Sequence, residues 1–122
     1  EIELMRVFNE NLTVIQEHCT PDQYRQINPF TNIEFSDLKE EIAFCRKKIN
    51  GFELVFDRFY WEKMLSPLDR KQVMMHEMVH CLFDQPHLKD ERHFMAEYFM
   101  PLEETELNRQ INDYLNYKCP KQ

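Results

Sequence analysis

The sequence has no apolar run of the roughly 20 residues that a membrane span needs. It also has no repeat, no low-complexity tract and no linker-like stretch, so its 122 residues predict a single domain over 1–122. Basic residues are scattered apart from Arg46-Lys47-Lys48, and the formal net charge is -7. Nucleic-acid binding needs a concentrated basic surface, so we expect neither a nucleic-acid partner nor a membrane span.

Four cysteines, at positions 19, 45, 81 and 119, form an even set in a short chain. This is typical of two disulfides in an exported protein, and four cysteines allow three pairings. A bridge between Cys19 and Cys119 would tie the two terminal helices together. Because disulfides form in oxidising compartments, we expect a secreted or periplasmic protein. The alternative is a cytoplasmic protein with four reduced, mostly buried thiols.

Hydrophobic periodicity divides the chain into helices and short strands. Apolar residues at helical spacing predict helices over 2–18, 67–83 and 102–117. Ser66 and Pro67 mark the start of the second helix as N-cap and first residue. Strands are predicted around 33–35, over 42–49 and over 52–59, with Asn50-Gly51 as a hairpin turn. The order predicts an α+β fold with an N-terminal helix, a short twisted sheet, the helix over 67–83 and a C-terminal helix.

The second predicted helix carries the segment His76-Glu77-Met78-Val79-His80. Two histidines four residues apart lie on one face of a helix, so both imidazoles can bind one metal ion. Glu77 points to the edge of that face, beside a water on the metal, where it can act as general base. The H-E-x-x-H pattern therefore predicts a zinc site that activates water.

A catalytic zinc site usually has three protein ligands, so a third ligand is needed besides His76 and His80. His87 is the first candidate, because a turn after the helix can bring it back. Glu97 is the alternative, a carboxylate from further along the chain. Asp84, Asp90 and His93 are weaker candidates.

His76-Glu77-Met78-Val79-His80 followed by His87 resembles the metzincin group of zinc peptidases, which carry H-E-x-x-H-x-x-G-x-x-H and a methionine turn below the metal. The sequence is still more similar to small bacterial and phage metallopeptidases that read H-E-x-x-H-C, five residues, His and a Met-containing segment. Cys81, His87 and the segment 94–98 (FMAEY) match those features. The likeness covers roughly residues 52–117. It implies a zincin-like domain that hydrolyses peptide bonds with Zn²⁺ as cofactor.

Two departures from the metzincin pattern concern the end of the active-site helix. His87 comes one residue later than the usual third ligand, whose position is Pro86 here. The glycine that ends the helix in metzincins aligns with Phe83, or with Asp84 if the extra residue follows it. The turn must then be made by a non-glycine residue at φ > 0, which Asp tolerates better than Phe.

The resemblance also suggests roles for residues after the helix and for the sheet. Met95 would form the methionine turn, with Met100 as second choice. Tyr98 would stabilise the oxyanion of the tetrahedral intermediate, with a buried structural tyrosine as the alternative. An edge strand, either 52–59 or 42–49, would bind the peptide by adding its backbone to the sheet.

We therefore expect a monomeric zinc metallopeptidase, most simply an endopeptidase, acting on peptide or protein substrates. The alternative is a catalytically inactive zinc-binding or protein-interaction domain that retains the zincin site.

Overall fold

The computed structural model describes residues 2–25, 27, 31–49 and 51–121. These residues form three α-helices and one three-stranded sheet: α1 (Ile2–His18), β1 (Asn32–Ser36), β2 (Ala43–Lys48), β3 (Gly51–Asp57), α2 (Pro67–Phe83) and α3 (Glu104–Lys118). A π-helical turn, Tyr60–Met64, leads from the sheet into α2. The predicted α+β fold is confirmed, and the last helix begins at Glu104, since Glu103 is its N-cap.

The sheet has the order β1-β3-β2, with β1 parallel and β2 antiparallel to β3. Its central strand β3 is buried at every position, which places 52–59 away from the sheet edge. The prediction that 52–59 supplies an edge strand is therefore wrong, and β2 is the edge strand of that pair. Lys48 pairs with Gly51 at the hairpin end, while Asn50 lies outside the described residues.

One face of the sheet packs toward α2. Phe52, Leu54 and Phe56 alternate along β3 and are fully buried, so they define this face. Cys45, which is paired with Leu54, lies on the same face and bonds to Cys81 of α2. Helix α2 contributes buried Met74, Met75, Met78 and Val79 to the same core. Burying each of these large side chains stabilises the fold by about 1.5–3 kcal/mol, which keeps α2 and the sheet in a fixed relation.

Two disulfides join distant parts of the chain, and the predicted Cys19–Cys119 pairing is confirmed. It connects the C-terminal ends of α1 and α3, and the second bridge connects Cys45 with Cys81. Two disulfides favour an oxidising compartment. In the described part of the chain, no helix has the length and apolar character to cross a membrane.

Candidate metal centre

Helix α2 begins at the predicted residue, and this start sets the position of its histidines. The Asp69 N–H donates to Ser66 Oγ at 3.1 Å, and Pro67 occupies the first turn, where its missing N–H costs nothing. His76 and His80 follow on one face, one turn apart. Their Nε2 atoms lie 3.1 Å from each other.

Each of these two rings is oriented by a backbone carbonyl. His76 Nδ1 lies 2.7 Å from the Phe94 carbonyl oxygen, and His80 Nδ1 contacts the Gln85 carbonyl oxygen. Because a carbonyl oxygen only accepts, each Nδ1 carries the proton and each Nε2 presents a lone pair. Burial lowers the pKa of His76 to about 4 and also lowers the pKa of His80, so both rings are neutral at pH 7.

The 3.1 Å contact between the two Nε2 atoms therefore joins two lone pairs. Two acceptors at this distance repel each other unless a cation lies between them. A tetrahedral zinc ion with Zn–N bonds of about 2.0–2.1 Å holds two ligand nitrogens about 3.3 Å apart. The arrangement of His76 and His80 fits such an ion.

His87 completes a group of three imidazoles. The ligand atoms of His76, His80 and His87 all lie within 4.8 Å of one another, so the group could hold a metal ion. The His87 ring centroid is 5.2 Å from that of His76 and 4.7 Å from that of His80. Unlike the other two, His87 is exposed to solvent. A set of three imidazoles would leave at least one coordination position of a metal ion for another ligand.

A left-handed residue at the end of α2 turns the chain back toward the site. Asp84 has φ 54 and ψ 32, which confirms that Asp supplies the turn in place of glycine. Its carboxylate pairs with Lys47 and, at 3.6 Å, with Arg25. Lys47, mainly through a hydrogen bond, and Arg25 lower the pKa of Asp84. Arg25 also donates from its backbone N–H to the Leu82 carbonyl at 2.9 Å, which satisfies one of the last carbonyls of α2.

The segment around Met95 supports two of the three histidines through its backbone. The Phe94 carbonyl orients His76, as described above. The Met95 carbonyl accepts from Leu88 N–H at 2.9 Å, which fixes the residue directly after His87. Met95 itself is fully buried, whereas Met100 is about half exposed. The placement suits Met95 as an apolar support, and its role as a methionine turn stays a prediction.

Two buried glutamines hold the irregular segment between α2 and α3, and the sequence analysis missed both. Gln110 Oε1 accepts from Phe94 N–H at 2.8 Å, and its Nε2 donates to the Arg92 carbonyl at 2.9 Å. At the other end of the segment, Gln72 Nε2 donates to the Met100 carbonyl at 2.8 Å, and Gln72 Oε1 accepts from the Leu102 N–H at 3.1 Å. A signal was present, because Gln110 lies at helical spacing from buried Leu107 and Tyr114.

Glu77 lies beside the histidines with its carboxyl group shielded from solvent. The residue is 7% exposed, and its Oε2 is 4.0 Å from His76 Nε2. Burial, with a smaller contribution from the charge of Glu41, raises the pKa of Glu77 to about 8. A cation between the histidines would favour the carboxylate form.

A cleft of about 440 Å³ opens over His76, Glu77 and His87. One wall is the segment 40–43, which leads into β2, and the other is the segment 96–100. Tyr98 stands on that second wall and is 80% exposed, so the alternative of a buried structural tyrosine is wrong. Glu97 also lines the cleft, but the three-residue group is completed by His87.

The weaker third-ligand candidates have other partners. Asp84 is ion-paired at the end of α2, as described above. Asp90 accepts from the Arg92 N–H at 2.9 Å in a local turn. His93 Nδ1 accepts from Met95 N–H at 3.0 Å, so its Nδ1 is not free to bind a metal.

No family model, curated protein or solved structure matches the chain.

Proposed function

We propose that this chain is a zinc-dependent peptidase of the zincin type. The observation that carries the proposal is the convergence of two Nε2 lone pairs, 3.1 Å apart, with a third imidazole and a buried carboxyl group beside them. A structural zinc site needs no such carboxyl group and usually has four protein ligands. The combination favours chemistry at an open coordination position.

His76, His80 and His87 would hold the ion. Imidazole nitrogens suit zinc and other late first-row metals, whereas magnesium and calcium prefer oxygen ligands. When bound, zinc supplies Lewis acidity, which lowers the pKa of water in the open position to about 7. The carbonyl oxygens of Phe94 and Gln85 keep both helix histidines in the tautomer that this requires.

Glu77 would transfer the proton. As water attacks the substrate carbonyl carbon, a Glu77 carboxylate oxygen accepts the proton that the water loses. The carboxyl group then donates this proton to the departing amine nitrogen, and the C–N bond breaks. A buried carboxyl group whose carboxylate form is favoured by a neighbouring cation can accept the proton and then return it.

Strand β2 offers a backbone edge for the peptide. Asp57 N–H donates to the Ile42 carbonyl at 2.8 Å, so Ile42 and every second residue after it face β3. The backbone groups of Ala43, Cys45 and Lys47 therefore point outward, and no described strand pairs with them. Because Ala43 lines the cleft, a peptide added to this edge would pass the site. The Cys45–Cys81 bridge fixes β2 to the residue after His80.

Metal binding and cleavage are tested separately. We expect one zinc ion per chain, and zinc at a hundred times its Kd should raise Tm by roughly 10 °C. His76→Ala should lose the ion. Glu77→Gln should keep the ion and lose cleavage of a fluorogenic peptide library. A folded, metal-free protein with full activity would overturn the proposal. Stoichiometric zinc without any cleavage would support the alternative, an inactive zinc-binding or protein-interaction domain.

We further propose that the chain works in a secreted or periplasmic setting, on the strength of its two disulfides. Titration of free thiols in protein isolated without added oxidant tests this. We expect no reactive thiol in the unfolded, unreduced chain. Four free thiols would point to the cytoplasm.

A further inference from the structure

The described walls of the cleft carry acidic side chains and no Lys or Arg. Glu40 and Glu41 lie on the β2 side, and Glu97 lies on the opposite wall. All three are exposed, and none of the described lining residues is Lys or Arg. The cleft is therefore negative on both sides of the candidate metal centre.

Basic residues of the neighbouring strand do not cancel this charge. Arg46 and Lys48 of β2 pair with Glu53 at 3.2 and 3.3 Å, and Lys47 pairs with Asp84. These cations lie toward the hairpin end of β2, and the acidic pair precedes its other end. The positive charges therefore lie at the hairpin end of β2, and the negative charges lie before its other end, at the cleft.

A second observation indicates what enters the cleft. Glu77, which is more than nine-tenths buried, turns its carboxyl group into it, so carboxyl groups line the floor as well as both walls. Between them lie apolar side chains, including Ile42, Phe99 and Met100. Lys and Arg combine an apolar stem with a cationic end, and this shape suits such a cleft.

We propose that the cleft selects peptides with a Lys or Arg side chain beside the scissile bond. This inference rests on the proposed peptidase function, since it names the substrates of the same site. The stem packs between the apolar wall residues, and the cation lies among the carboxylates of Glu41 and Glu97. Peptides with acidic residues at the same position are repelled.

Binding and cleavage of matched peptides test the inference. The peptides are identical except for Lys, norleucine or Glu at each position flanking the bond. Fluorescence anisotropy with zinc-loaded Glu77→Gln measures binding without turnover, and wild type measures cleavage. An exposed ion pair strengthens binding about two- to five-fold, so we expect binding of Lys peptides to be tighter than that of norleucine peptides by about this factor at low salt. Glu41→Gln/Glu97→Gln should remove this preference. Glu34→Gln, which removes one exposed charge on β1 outside the cleft lining, should preserve it.

The outcomes separate the two proposals. Equal binding of Lys and norleucine peptides, or a preference that survives Glu41→Gln/Glu97→Gln, would overturn the charge selection. Cleavage that shows no preference for basic residues would also overturn the charge selection, but it would support the peptidase proposal. A Lys preference in binding without cleavage of any peptide would support the charge selection and overturn the peptidase proposal.

Discussion

Replacing Glu77 with Gln in the metal-free protein should change how its stability depends on pH. Burial raises the pKa of Glu77 to about 8 from an ordinary 4.5. A raised folded-state pKa means that the fold favours the protonated form. This contribution to stability is fully present below pH 4.5 and is lost as the pH rises toward 8.

The magnitude follows from the size of the pKa difference. Each pKa unit corresponds to about 1.4 kcal/mol, so ionisation of Glu77 removes about 3–4 kcal/mol between pH 5 and pH 8. His76 has the opposite sign, because burial lowers its pKa to about 4. Its contribution is present above pH 6.5, is lost as the pH falls toward 4, and adds about 2 kcal/mol from pH 5 to pH 8. The pKa values of His80 and His93 are also lowered by burial, so these residues contribute with the same sign as His76 in both proteins, and the wild-type and Glu77→Gln profiles should diverge by about 3–4 kcal/mol over this window.

Urea unfolding in the presence of a chelator, at intervals from pH 5 to pH 8, gives the two profiles. Subtracting one profile from the other cancels the histidines and isolates the carboxyl group. Parallel profiles would refute the reasoning, because Glu77 would then ionise as easily in the folded chain as in the unfolded one. With saturating zinc, the difference between the wild-type and Glu77→Gln profiles should become smaller, because a nearby cation favours the carboxylate form of Glu77.

Three further changes test the scaffold that holds the ligands. Gln110→Leu leaves a backbone N–H and C=O of the segment before α3 unpaired. It should cost about 2–4 kcal/mol in urea unfolding and weaken zinc binding about 10–100-fold, while Asn112→Leu on the exposed face of the same helix should cost little. Asp84→Gly should be about 1 kcal/mol more stable than Asp84→Ala, since only Ala is disfavoured at φ 54, and equal stability would contradict this. Removing the Cys19–Cys119 bridge, which spans a sequence separation of 100, should cost about 4–5 kcal/mol, and an unchanged Tm in the double Ser variant would contradict its structural role.

Local sequence rules were sufficient to predict the helices and two of the three histidines of the candidate metal centre. Ser66 and Pro67 fixed the start of α2, and the four-residue spacing of His76 and His80 placed both rings on one face. Alternating apolar residues located β3, and the Asn50-Gly51 hairpin signal located β2 before it, each within a few residues of its ends. These features depend on neighbours in sequence, so a linear pattern contains them.

The sheet order is an example of what periodicity leaves undetermined. Strand β3 is central because the connection from β1 to β2 passes from one side of β3 to the other, so β3 pairs with β1 in parallel and with β2 in the hairpin. An apolar strand pattern is compatible with either an edge or a central position. The assignment of 52–59 to a possible edge failed for this reason.

The sequence by itself determined the fold class, the capped α2 helix and the His76–His80 pair on one of its faces. Only the tertiary structure decided that His87 rather than Glu97 joins this pair, that the Phe94 and Gln85 carbonyls orient its rings, and that Tyr98 stands in solvent. The physical reason is that helix geometry repeats every 3.6 residues and can be read along the chain. Every residue contributes the same backbone carbonyl, so no sequence pattern marks the one that meets a distant side chain. Packing alone selects it.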